Sequence, residues 1–176
     1  MTTHGGAGRG STFVVALPLT VMHSAPEDEV ERQHPRLAAT TPLVCEADLT
    51  GVDVLIVDDE PDARTMIARL LKDRGASVSA ASSAPEALRV VQDRWPHVLI
   101  SDIGMPGEDG YSLIKRVRSL GDRGRELPAI ALTAYARAED RMRSIMAGFQ
   151  MHMAKPVEPA ELIAMVASLT ARARPQ

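Results

Sequence analysis

The sequence predicts an α/β protein in which helices cover both faces of a doubly wound, five-stranded parallel sheet. From about residue 51 onward, short apolar runs alternate with amphipathic stretches of about 10–15 residues, the pattern of strand–helix units. The runs VLIV and VLI are continuously apolar, which is typical of strands buried on both faces. A composition of 45% hydrophobic and 24% charged residues favours a packed core.

The first two units lie between residues 52 and 95. The run VDVLIVD predicts the first strand, and Pro61 begins the helix PDARTMIARLLKDRG, which Gly75 ends. ASVSAAS predicts a weaker second strand, and the helix APEALRVVQDRW follows. Four apolar residues of the first helix are predicted to share one face: Met66, Ile67, Leu70 and Leu71.

Three further units complete the predicted sheet. HVLISD predicts the third strand, which the loop GMPGEDG connects to a helix beginning at Tyr111, YSLIKRVRSL. PAIALTAY predicts the fourth strand, and the helix ARAEDRMRSIMAGF follows it. The short fifth strand, MHMAKP, precedes a last helix, EPAELIAMVASLTARA.

The chain divides into three predicted zones. Residues 1–20 are rich in glycine and then strand-like, residues 21–50 mix charge, proline and small residues as a linker does, and residues 51–172 form the domain. The apolar segment FVVALPLTVM imitates a signal peptide, but the glycine-rich stretch before it, whose only clear cation is Arg9, argues against secretion. No apolar run reaches the length of about 20 residues that a bilayer span needs.

The net charge and the cysteine count limit which partners and which cellular compartment we expect. A net charge of −3 argues against nucleic-acid binding, which usually shows a clear basic excess. The single cysteine, Cys45, cannot form an internal disulfide and fits a reducing compartment. We therefore expect a cytoplasmic protein without nucleic-acid or membrane contacts.

Polar side chains follow four of the predicted strands. Carboxyl ends of parallel strands are where open α/β sheets bind ligands, so these side chains are predicted to converge. Several carboxylates brought together would repel one another unless a cation joined them, and Mg²⁺ is a hard cation that prefers oxygen ligands. The convergent set is Asp58, Asp59, Glu60, Asp102, Thr133 and Lys155.

This set suits phosphoryl transfer. Positioning and charge neutralisation do most of the work in that reaction, and an aspartate can act as the nucleophile and yield an aspartyl-phosphate. Carboxylates and Mg²⁺ would be joined by the ammonium of Lys155 and the hydroxyl of Thr133. Each residue alone also has a structural reading: Asp58 and Asp59 as helix caps before Pro61, and Thr133 as an ordinary strand residue.

Residues 52–170 resemble a receiver domain of two-component signalling. Four motifs carry the resemblance in the family's order and spacing: VLIVDDEP, SDIGMPGEDGY, ALTAY and AKPVEPAEL. The resemblance implies a flavodoxin-like sheet of strand order 2-1-3-4-5, here with a partly disordered N-terminal extension. It also implies that Asp102 accepts a phosphoryl group from a phosphohistidine of a histidine kinase or phosphotransfer protein.

The same resemblance assigns the other site residues. Asp58 and Asp59 would hold Mg²⁺ together with Asp102 and the backbone carbonyl of Gly104. Thr133 and Lys155 would contact the phosphoryl oxygens, and the Lys155–Pro156 bond is expected to be cis. Glu60 would lie outside the metal's first shell of ligands, and His152 stands where receivers usually carry an aromatic switch residue.

A second, shorter resemblance concerns the N-terminus. GGAGRGSTFVVALPL is similar to the end of the ATP-binding domain of sensor histidine kinases. It implies that the chain is the C-terminal piece of a hybrid histidine kinase, with residues 1–20 as a remnant that could not bind ATP usefully by itself. Whether the chain counts as an enzyme stays open.

Three alternatives compete with a phosphoacceptor. A pseudo-receiver would bind partners without phosphorylation, although the intact set of acidic residues, Thr133 and Lys155 argues against it. A phosphatase with an aspartate nucleophile would need an acid two residues later, where Gly104 stands. A flavin-binding protein is disfavoured because the acidic segment DDEP after the first strand would repel phosphate.

Overall fold

The computed structural model describes residues 47–134 and 138–173. In this part of the chain, five parallel strands form one sheet in the order β2-β1-β3-β4-β5, which confirms the predicted fold class and strand order. Residues 1–46, with the predicted kinase remnant and most of the predicted linker, lie outside the described residues. The strands are β1 (Asp53–Val57), β2 (Ser77–Ala81), β3 (Val98–Asp102), β4 (Ala129–Thr133) and β5 (Met151–Ala154).

Six helices connect or follow these strands in the described residues. Five agree with the sequence prediction to within a few residues at their ends. The remaining helix, α4, was not predicted because five residues are too few to show a helical period. The helices are α1 (Pro61–Lys72), α2 (Ala84–Asp93), α3 (Gly110–Arg118), α4 (Asp122–Glu126), α5 (Ala138–Ala147) and α6 (Pro159–Ala173). No helix among them is both long enough and apolar enough to cross a lipid bilayer.

The core consists of two apolar clusters, one on each face of the sheet. Alternate residues of β1 enter different clusters: Leu55 packs with α2 and α3, whereas Ile56 packs with α1 and α6. Because both faces are covered, every residue of β3 and β4 is buried. The predicted apolar face of α1 is partly wrong, since Ile67 and Leu71 are buried but Met66 is 52% exposed.

The first described residues pack at the amino edge of the sheet, where the strands begin. Leu49 donates its backbone N–H to the carbonyl of Arg74 at 2.8 Å, and its side chain is 1% exposed within the cluster that includes α1 and α6. Val52 is buried in the same cluster. The predicted domain limits, residues 51 and 172, stay a prediction.

The opposite, carboxyl edge collects the polar residues. β1 and β3 are neighbours, although β2 separates them in sequence, so strand order reverses between them at a switch point. Asp58 follows β1, Asp102 ends β3, Thr133 ends β4, and Lys155 follows β5. The four side chains therefore come from four adjacent strands of one sheet edge.

Candidate functional site

A shared ammonium group links two strands at the carboxyl edge. Lys155 donates from Nζ to Asp58 Oδ2 at 2.7 Å and to Asp102 Oδ2 at 2.9 Å. Asp58 is fully buried and Asp102 is 7% exposed, so both ion pairs lie largely out of water. Two carboxylates separated by 44 positions in the sequence thus share one cation, which explains how they can lie close together.

The backbone fixes the second oxygen of each carboxylate. Asp58 Oδ1 accepts the N–H of Glu60 at 2.9 Å, and Asp102 Oδ1 accepts the N–H of Gly104 at 3.0 Å. Both bonds span two residues and orient the carboxylates at the point where the strand ends. Glu60 contributes its backbone here; it is the exposed N-cap residue of α1, and its side chain makes no capping hydrogen bond.

The lysine is fixed by its own strand. Its backbone N–H donates to the carbonyl of Thr133 at 2.7 Å, which continues the β4–β5 pairing past the end of β5. The Lys155–Pro156 bond is cis, as the resemblance implies. The site thus rests on sheet hydrogen bonds rather than on a long loop.

The ammonium stays charged because of its partners. Partial burial acts to lower the pKa of Lys155, but the hydrogen bonds and charges of Asp102 and Asp58 outweigh it and raise the pKa above its ordinary value. At neutral pH the lysine is therefore a fixed positive charge beside both carboxylates.

Three carboxylates fit a divalent cation. Asp58, Asp59 and Asp102 each place one oxygen within 4.8 Å of the others, with Asp58 and Asp102 buried and Asp59 exposed. One ammonium neutralises only one of the three charges, so the set keeps an excess of two negative charges. Hard oxygen ligands with that charge and an opening to solvent are what Mg²⁺ prefers, since it retains several waters.

A cleft of about 450 Å³ opens over Asp102. Thr133, which is 5% exposed, lines it together with Lys155 and Gly104, so the predicted phosphoryl-contacting residues surround one space. Four further polar or aromatic residues, which the sequence did not assign to the site, also line this cleft: Asp109, Tyr111, Asp140 and Arg143. They come from α3, the loop before it, and α5, whose polar residues read as ordinary solvent-facing positions in the sequence.

His152 lies elsewhere on the same edge strand. It pairs in register with Ala131 of β4 and is half-buried. Its Nε2 atom is buried and has no hydrogen-bond partner among the described residues. His152 thus occupies the position of the usual aromatic switch residue as a half-buried residue of β5.

Comparison with known proteins identifies a family and several relatives for this domain. The family model for the response regulator receiver domain matches residues 54–167. An uncharacterized 14.6 kDa protein of Leptolyngbya boryana is 49% identical over 118 residues, which cover 67% of this chain and 89% of that protein. The sensor histidine kinase RcsC of Escherichia coli is 33% identical over 129 residues, 73% of this chain but only 13% of the kinase.

A solved structure shows the same fold. The crystal structure of a putative response regulator from Chloroflexus aurantiacus superposes with a TM-score of 0.65 and 37% sequence identity. The match covers 69% of this chain and 98% of that one. The domain thus has a counterpart of nearly its own size, and also a counterpart that forms a small part of a large kinase.

Proposed function

Because this chain belongs to the response regulator receiver domain family, we propose that Asp102 accepts a phosphoryl group in a Mg²⁺-dependent reaction. The donor is a phosphohistidine on a histidine kinase or phosphotransfer protein. The observation that carries the proposal is the pair of hydrogen bonds from Lys155 to Asp58 and Asp102, with Asp59 completing an acidic triad.

The chemistry follows from these positions. An oxygen of the Asp102 carboxylate attacks phosphorus, the phosphorus–nitrogen bond to the donor imidazole breaks, and the leaving nitrogen takes up a proton. Lys155 and Thr133 contact the phosphoryl oxygens as negative charge accumulates, which is the main source of catalysis in such transfers. Mg²⁺, held by Asp58, Asp59 and Asp102, supplies further charge neutralisation when bound.

We also propose what kind of protein contains this domain. The likeness of residues 1–20 to the end of a kinase ATP-binding domain, and the match to the receiver portion of a sensor kinase, support a hybrid histidine kinase as the parent. The domain would then work in the cytoplasm, receiving phosphate from its own kinase or passing it to a phosphotransfer protein.

Phosphoryl incorporation from acetyl phosphate tests the proposal. We expect the intact mass of the full chain to rise by one phosphoryl group with Mg²⁺ and to stay constant without it. Asp102→Asn should abolish the gain, whereas Asp53→Asn, at the opposite end of β1, should leave it intact. A folded parent that gains no mass from acetyl phosphate or from a phosphorylated histidine kinase would support the pseudo-receiver alternative instead.

A further inference from the structure

A second cation faces the cleft over Asp102. Arg143 on α5 lines this cleft together with Asp102, Thr133 and Lys155. Its guanidinium carbon lies 4.5 Å from the centroid of the Tyr111 ring, a cation–π distance. Arg141, two residues away on the same exposed helix, does not line the cleft, so the orientation of Arg143 is not shared by every arginine of α5.

The contacts of Arg143 leave its hydrogen-bonding capacity available. Among the described residues it makes no salt bridge, and its stacking on Tyr111 uses the ring face rather than an acceptor oxygen. Its charge nevertheless reaches the cleft wall. Partial burial acts to raise the pKa of Asp109, but hydrogen bonds from Ser112 and the positive charge of Arg143 lower it overall.

Phosphorylation adds to the demand for positive charge in this cleft, whose lining also includes Asp109 and Asp140. Three carboxylates and one ammonium leave two negative charges, which one bound Mg²⁺ would neutralise. A phosphoryl group carries about two negative charges near neutral pH, so it replaces the single charge of Asp102 with roughly one more. Lys155 is already bonded to two carboxylates.

We infer that Arg143 is the second phosphoryl-contacting cation of this site, moving from the Tyr111 ring to the oxygens of the group on Asp102. This inference rests on the proposed phosphoacceptor function and adds a residue to it. Guanidinium groups bind phosphoryl oxygens in a bidentate manner, and such charge-assisted bonds are stronger than an exposed cation–π contact. The exchange also connects the state of Asp102 to the position of α5.

Binding of trifluoroberyllate, a mimic of a phosphoryl group on a carboxylate, tests this inference. The full chain with Mg²⁺ is titrated and followed by fluorine NMR, which reports both affinity and the environment of the bound fluorines. We expect Arg143→Gln to weaken binding about 10-fold and to shift the bound resonances. Arg143→Lys should recover part of the affinity, because it keeps the charge but not the bidentate geometry.

Arg141→Gln is the matched control, since it removes the same charge from the same helix outside the cleft. Affinity and resonances like those of the parent are expected for it. Equal affinities and identical fluorine resonances for the parent and Arg143→Gln would overturn the inference. Equal weakening by both arginine variants would also overturn it, because a general charge effect would then suffice.

Acetyl phosphate incorporation, measured on the same samples, separates this inference from the proposed function. A parent that gains a phosphoryl group while Arg143→Gln binds the mimic normally would overturn the role of Arg143 alone. A parent that neither gains the group nor binds the mimic would overturn both.

Discussion

The two edges of the sheet each carry a cation that joins several segments, but the acceptors differ. At the carboxyl edge, Lys155 donates to the carboxylates of Asp58 and Asp102. At the amino edge, Arg118 donates to the carbonyls of Gly124, Leu127 and Gly148 and to Gln150 Oε1. The lysine leaves negative charge uncompensated, whereas every acceptor of the arginine among the described residues is a neutral oxygen.

The difference teaches how similar contacts serve different purposes. Neutral carbonyls at the starts of β4 and β5 need donors, and a half-buried guanidinium supplies several at once. Burial lowers the pKa of Arg118, yet an arginine stays protonated in proteins, so the contact does not respond to ordinary changes of pH. Carboxylates in excess over cations can instead bind a metal ion and take part in a reaction.

The largest loss of stability is expected when the amino-edge cation, Arg118, is removed. Arg118→Met leaves several carbonyls without a donor, and we expect the free energy of unfolding to fall by about 2–4 kcal/mol. Urea unfolding measures the loss, and acetyl phosphate incorporation per folded molecule should be unchanged. Arg116→Met, which breaks only the exposed pair with Glu108, should cost less than about 1 kcal/mol. Equal losses in both variants would contradict the comparison.

A pair of glycines sharpens the comparison. A Cβ on Gly110 would collide with the carbonyl of Asp102, and one on Gly124 would collide with the carbonyl of Val117. Gly110→Ala and Gly124→Ala should each reduce the free energy of unfolding by about 1–3 kcal/mol, as overpacking does. Only Gly110→Ala should also slow phosphoryl incorporation, because the displaced backbone is that of the acceptor residue. Incorporation rates that fall equally in both would show that the edges are not independent.

High pH should reduce the contribution of Lys155, at the carboxyl edge, to the free energy of unfolding. Because the pKa of Lys155 is raised above 10.5 in the folded state, its stabilising contribution is complete below that value and is lost as the pH rises through the folded pKa. The ammonium is partly exposed, so we expect a loss of about 1 kcal/mol or less. Unfolding free energies at pH 9 and pH 11.5 should differ more in the parent than in Lys155→Met; the same difference in both would exclude Lys155 as the cause.

The smallest effect is expected for Glu86, an acidic residue at the carboxyl edge that makes no salt bridge within 4.0 Å among the described residues. Glu86 accepts the backbone N–H of Ser82 at 2.7 Å, which lowers its pKa below the ordinary 4.5. Its contribution is present above pH 4.5 and is lost as the pH falls through the lowered pKa. Glu86→Gln should cost a few tenths of a kcal/mol at pH 7 in urea unfolding and leave phosphoryl incorporation unchanged. A reduced incorporation rate would give this carboxylate a part in the site.

The sequence predicted what depends on regular periods and on strand ends. Continuous apolar runs identified β1 and β3 because burial on both faces leaves no polar alternation. Asp58, Asp102 and Lys155 could be predicted to meet because parallel strands present their carboxyl ends to one edge. The helix α4 and the acceptors of Arg118 could not, since carbonyl groups carry no sequence signature and five residues show no period.

Arg143 illustrates a second limit. An arginine that follows the charged residues Glu139, Asp140 and Arg141 in an amphipathic helix is ordinarily predicted to face solvent, and the sequence does not show the direction of its side chain. Its place in the cleft depends on how α5 packs beside α3, where Tyr111 offers a ring face. Met66 shows the reverse case: an apolar residue at a helical spacing that predicts burial, left 52% exposed by the packing of α1.

The burial of Leu49 affects how much of the chain must be kept when the domain is transferred to another protein. Excision at the limits of the family match, residues 54–167, would delete three buried apolar side chains: Leu49, Val52 and Leu169. Each such side chain contributes about 1.5–3 kcal/mol, so their joint loss approaches the whole stability of a typical domain. A graft of this domain onto another signalling protein should therefore keep Leu49, Val52 and Leu169, with both junctions placed outside them.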